Sequence, residues 1–299
     1  MNAMKNLLKI ITVMTALGML TACYSSRLNQ FNDFASAGKS YSSAMVALTK
    51  EVGNLAIDAD SVVLLEIRDT DTDIDTRIKN YKNHTKSLQD FLTELQRIRQ
   101  HTLLLNKYFI ALSALATTDL NTGIGAEASS LAAQMQALHP AIENASIGDA
   151  PIKDFIGGVV PMVVAAYKQK VLSTELKKNA TVLERELELQ SAALEALVDD
   201  YKSDVDILMA RREISEVVDP YLAETSSIPE GWENARRAVL NASTGTEMAA
   251  SAVQAAKELK KTFIALVAGK SGQQDFDVLF ADINAILDLI ESTKTERED

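Results

Sequence analysis

Apolar side chains spaced three and four apart, over stretches of about forty residues with little to break a helix, constrain this fold most. Over residues 31–68 the apolar positions are Phe31, Phe34, Tyr41, Met45, Leu48, Val52, Leu55 and Val62. That is the stripe of one helix face, not the alternation of a strand. Ile78, Tyr81, Leu88, Leu92, Leu95, Ile98, Thr102, Leu105, Phe109 and Leu112 mark a second such stripe. At 1.5 Å per residue, each makes a rod of about 60 Å. The break between them is "DTDTDID", residues 69–75, and two rods with so short a connection fold back as an antiparallel hairpin. Five prolines and twelve glycines in 299 residues leave few helix breakers, and Ala, Leu, Glu and Lys all favour helix.

"NTGIG", residues 121–125, is read as the end of the second helix, with a shorter helix over 126–145 and a break at "IGDAP", 147–151. The longest helical stretch is expected over 152–218, interrupted near its start by "GGVVP". Within it Leu176, Ala180, Leu183, Leu187, Gln190, Leu194, Leu197, Tyr201 and Leu208 follow a coiled-coil-like spacing with Glu and Lys around them, so a regular neighbour is implied. A loop with two prolines, "DPYLAETSSIPEG", precedes two further helices over 232–268 and 276–293. The expectation is an all-α, elongated antiparallel bundle of five or six helices. Residues 31–299 read as a single domain, since no linker is long or polar enough to divide them.

The first residues answer a different question. Lys5 and Lys9 precede an almost wholly apolar run from 10 to 20, the order of a secretory signal peptide. The run is short for a membrane span, which needs about 20 apolar residues. It ends in Leu20-Thr21-Ala22-Cys23, which resembles the lipobox of bacterial lipoproteins over about the first 25 residues. The resemblance implies cleavage after residue 22, acylation of Cys23, and residues 23–30 as a lipidated tether. Two membrane signals suffice for stable anchoring, so a triacylated cysteine stays in the bilayer. Tyr24 stands where, in many Gram-negative lipoproteins, an aspartate signals inner-membrane retention. The resemblance therefore implies an outer-membrane anchor, with the protein facing the periplasm.

Removing residues 1–22 takes away two lysines and no acid, so the formal charge moves from −11 to −13. Such a body repels phosphate backbones and anionic headgroups, which argues against nucleic-acid binding. Membrane contact then falls to the lipid or to apolar surface. Cys23 is the only cysteine; with it acylated no disulfide can form, and stability rests on packing.

No motif for chemistry is complete. "DTDTDID" has aspartates at alternate positions, as a calcium loop does, but the sixth position is Ile74 where glycine is needed and the twelfth is Asn80 where a glutamate is needed. An acidic turn capping the next helix fits better. "GKS" occurs at 38–40 and 269–271 without the earlier glycine or the preceding strand of a phosphate loop. Ser36 and Lys39 match the Ser-x-x-Lys pattern of penicillin-recognising enzymes, but the companion motifs are missing. His84, His101 and His139 are isolated in sequence, and His84 and His101 read as surface or boundary residues. With no nucleophile or metal-ligand pattern, no enzymatic role and no cofactor or metal is expected.

One stretch is out of register with a plain bundle. "FIGGVVPMVVAA", residues 155–166, is apolar and flanked by Lys153 and Lys168. Phe155, Ile156, Gly157, Gly158, Val159, Val160 and Pro161 could form a buried elbow or a tongue that touches membrane. Exposure decides between two functions. Burial favours a membrane-anchored, non-enzymatic scaffold or adaptor that engages a protein partner, or a second copy, through helix faces. Contiguous exposure favours a membrane-active protein, pore-forming or membrane-remodelling.

Overall fold

The structure is a computed structural model. It describes the backbone of residues 2–70, 73–117, 122–147, 150–157, 162, 164, 170–223, 229–241 and 243–298. Side chains are described for these residues except 2–28, 69, 122, 199–201, 204, 205, 208, 238, 240, 241, 243–249 and 289–298. Among them lie eight α-helices: α1 (Asn2–Thr70), α2 (Ile74–Thr117), α3 (Thr122–Glu143), α4 (Lys170–Arg212), α5 (Asp219–Leu222), α6 (Trp232–Asn241), α7 (Ser243–Val267) and α8 (Gln273–Glu298). A small antiparallel ribbon, β1 (Ser146–Ile147) with β2 (Ala150–Pro151), and a 3₁₀ turn (Ile152–Phe155) follow α3. A π-helical stretch (Glu213–Val218) carries α4 into α5. The protein is an all-α helical bundle.

α1 and α2 form the expected antiparallel hairpin. Ser113 donates to Asn32 at 3.0 Å near one end, and Asp60 meets His84 at 2.7 Å near the other. Asp73 opens α2 as its cap: its Oδ2 accepts the Thr76 N–H at 2.9 Å and the Thr76 hydroxyl at 2.7 Å. These bonds hold the Asp73 carboxyl below its ordinary value. Gly38 is a packing residue, since a Cβ there would lie 2.5 Å from the Phe109 ring. Gly269, in the second "GKS", ends α7 at φ 69°. Its N–H reaches the Leu266 carbonyl and the Lys270 N–H reaches that of Ala265, a left-handed cap that glycine alone adopts without strain.

α4 runs alongside α1 in the same direction, for Tyr41 lies in the field of Glu186 and Arg211 pairs with Glu66 at 2.8 Å. α2 and α3 close one side of α4. On the other side α7 pairs Lys257 with Glu195 and Lys260 with Glu188, each at 2.6 Å. Phe263 of α7 stacks on Phe34 of α1 with ring centroids 5.6 Å apart. The buried apolar residues of α1, α2, α3, α4, α7 and α8 form one contiguous core. Leu176, Leu183, Leu187, Leu194 and Leu197 face it as the seam predicted; the side chains of Tyr201 and Leu208 lie outside the described residues.

Four expectations about the elements need correction. Asp219–Leu222, read as the start of a loop, are helical as α5. Helix α3 begins at Thr122, so most of "NTGIG" is inside its first turns. Gly125 allows this, because a Cβ there would approach Val171 to 2.9 Å. The stretch expected to be helical from 152 holds only the 3₁₀ turn; residues 156, 157, 162 and 164 are not helical, and α4 starts at Lys170. Ile78 and Tyr81, assigned to the inner stripe of α2, are 46% and 61% exposed. The stripe becomes buried from Phe91 onward.

Truncating a leucine of the α4 seam removes core packing. Leu187→Ala and Leu194→Ala should each lose about 2 to 5 kcal/mol in denaturant unfolding, whereas Leu103→Ala, on the outer face of α2, should change stability by less than about 0.5 kcal/mol.

Candidate functional site

Of the residues the sequence singled out, the backbone of Cys23 lies within α1, while its side chain lies outside the described residues. Gly158, Val159, Val160 and Pro161 are also outside them. Phe155 and Ile156 are half-buried and pack against the core, as do Met162 and Val164 further on. The Gly157 N–H donates to the Glu188 carboxylate, which also accepts from Lys260. The described part of the run is therefore laid on the bundle.

Two arrangements stand out that no motif announced. The first is an apolar groove at the hairpin end remote from the chain's N-terminus. α1 contributes Leu64, Leu65, Ile67 and Arg68; α2 contributes Ile74, Arg77, Ile78 and Tyr81. Its volume is about 620 Å³. Ile74 is 64% and Leu65 52% exposed, more apolar surface in one place than scattered exposure explains. Its lining also holds Arg68 and Arg77, each engaged in an interaction of its own. The C-terminal end of α4 reaches the same end of the bundle through the Arg211–Glu66 pair, and exposed Ile214, Tyr221 and Leu222 follow it in the chain.

The second arrangement is buried. His101 of α2 approaches the Glu186 carboxylate through Nδ1 at 3.0 Å, and His139 of α3 approaches the same oxygen through Nε2 at 3.1 Å. Gln190, one turn along α4, donates to the other oxygen at 3.0 Å and accepts from the Thr102 hydroxyl at 3.1 Å. Glu186 and His101 are almost wholly buried and His139 nearly so. Burial pushes the Glu186 carboxyl up, but hydrogen bonds from His101 and His139, the field of His101 and the Gln190 amide outweigh it, and the pKa falls to about 2. Tyr41 of α1 is raised by burial and by Glu186. Its hydroxyl, like His101 Nε2, has no partner among the described residues.

A second layer lies about three turns back along α4. There Glu175 accepts from Tyr108 at 3.2 Å, from Ser129 at 2.7 Å and from Asn179 at 2.8 Å. Burial and the neighbouring Glu175 push the Tyr108 hydroxyl well above its ordinary value.

The histidines are thus a correction: His101 and His139, read as isolated, meet across α4, while His84 sits half-buried beside Asp60. The sequence carried one usable signal. Glu175, Asn179, Glu186 and Gln190 recur at four, seven and four, a polar stripe beside the leucine seam. Among the described residues no group of three or more His, Cys, Asp or Glu is arranged to hold a metal ion, and no helix is long and apolar enough to cross a membrane. No family model, curated protein or solved structure matches the chain.

Glu186→Gln turns one acceptor into a donor facing donors. It should destabilise the bundle by about 3 kcal/mol at pH 7. A depressed carboxylate stabilises the fold above its ordinary pKa of 4.5 and loses that contribution as pH falls toward about 2. The variant's stability should therefore depend less on pH over that window than the parent's, as measured by urea unfolding.

Proposed function

We propose that the chain is a lipid-anchored, periplasm-facing adaptor with no enzymatic role, which holds an amphipathic helix of a partner protein in the groove at its far end. The observation that carries this reading is the exposed apolar groove between α1 and α2. Two antiparallel helices offer a ridge-and-groove surface that a third helix fits. The apolar lining sets the match: a helix that presents an apolar stripe fits it.

Geometry favours reach. Cys23 and Arg68 are 45 residues apart in the single helix α1, about 68 Å at 1.5 Å per residue. An acylated Cys23 would set one end of that rod at the membrane and the groove far from it. The packing of Phe155, Ile156, Met162 and Val164 on the core supports an adaptor over a membrane tongue.

A photo-crosslinker at Ile78, with sequencing of the crosslinked peptide, tests the occupant. The proposal expects an adduct within an amphipathic helix of another protein, lost in Leu65→Glu while the melting temperature stays within about 2 °C. An adduct mapping to this chain would make the groove a self-association surface, and a lipid adduct would favour the membrane-active reading; either overturns the proposal. Cys23→Ser should release the protein from the membrane fraction or leave residues 1–22 attached.

A further inference from the structure

We infer that His101, His139 and Glu186 form an acid-sensitive clasp, which lets α2 and α3 loosen from α4 when both imidazoles carry a proton. The inference is independent of the groove and its occupant.

The charge balance makes the clasp sensitive. A carboxylate only accepts, so each imidazole must present an N–H to Glu186: Nδ1–H of His101 and Nε2–H of His139. One added proton makes a cation that Glu186 compensates. A second leaves the centre with two cations and one carboxylate. From α1 Tyr41 faces the group, and its hydroxyl stays protonated; on the α3 side Glu143, one turn beyond His139, is held by Arg185 at 2.7 Å. From α2 and α4, Thr102 and Gln190 are neutral. On the far side of α4, Lys257 and Lys260 of α7 are held by Glu195 and Glu188. The centre thus has no second carboxylate hydrogen-bonded to it among the described residues.

His101 adds a steric reason. With its proton on Nδ1, any further proton goes to Nε2, which is buried without a partner. The new N–H would point at no acceptor. An unfolded or opened chain charges both imidazoles in water without this penalty. The closed centre holds one proton well and the opened chain takes two below the ordinary imidazole value of about 6.5, so in that range the open form binds more protons and lowering the pH favours it. Imidazole is the side chain that ordinarily changes charge between pH 8 and 5. The Glu175 layer, held by Tyr108, Ser129 and Asn179, contains no imidazole and gives no such response.

The test is amide hydrogen exchange on the whole chain from pH 7.5 to 5.5, corrected for intrinsic rates. For buried amides of α2 and α4, such as Leu105 and Leu187, the opening constant should rise by up to about tenfold per pH unit where one more proton is bound on opening. Core amides of α8, such as Ile283, should keep their protection. His101→Asn with His139→Gln places an amide N–H where each imidazole donor stands, yet takes up no proton, so the pH slope should vanish. If that pair does not fold, His139→Gln alone should reduce the slope. A flat parent, equal slopes in parent and variant, or equal loss of protection in α8 would overturn the inference.

Discussion

The bundle depends on a carboxylate buried where water cannot reach it. Glu186 is tolerable in the core because His101, His139 and Gln190 all meet it; the two histidines fix α2 and α3 against α4, and Gln190, within α4, reaches α2 through Thr102. A leucine seam alone specifies burial but not register, since sliding by a heptad leaves leucine against leucine. Polar groups remove that freedom: a slip would leave a charge and two imidazole donors unmatched in an apolar interior. The Glu175 layer repeats the device with Tyr108 and Ser129. The two layers tie α2 and α3 to α4 at two heights.

The seam is what makes the fold legible. Leu176, Leu183, Leu187 and Leu194 are buried where their spacing places them, because periodicity is local information. "DTDTDID" also reads correctly, since Asp73 caps the next helix through its own neighbour Thr76. His101 and His139 do not read correctly: the former lies 85 residues and the latter 47 from Glu186, and no local pattern reports a meeting at that separation. Ile78 and Tyr81 keep helical spacing where α2 has run past most of its neighbours, so the same stripe that is core at Leu95 is surface at Tyr81. Helix α3 runs through two glycines because Gly125 must clear Val171, a tertiary reason that outweighs propensity.

The buried polar layers and the exposed apolar groove are thus separated along one rod. The buried polar layers lie in the body of the bundle, where α1, α2, α3 and α4 meet. The exposed groove lies where α1 and α2 continue toward their turn. A surface that is apolar and unneeded for the core can change its occupant without unfolding the body. The buried layers have no such freedom, since every member is fixed by another helix. An exposed apolar tip and a body held by buried polar bonds are compatible for that reason.

The central claim is that the carboxylate and the imidazoles act together, and a double-mutant cycle between Glu186→Gln and His139→Gln measures it most directly. Coupling of about 1 to 3 kcal/mol at pH 7 is predicted for two groups that share a buried hydrogen bond. Losses that simply add, to within about 0.5 kcal/mol, would contradict the account.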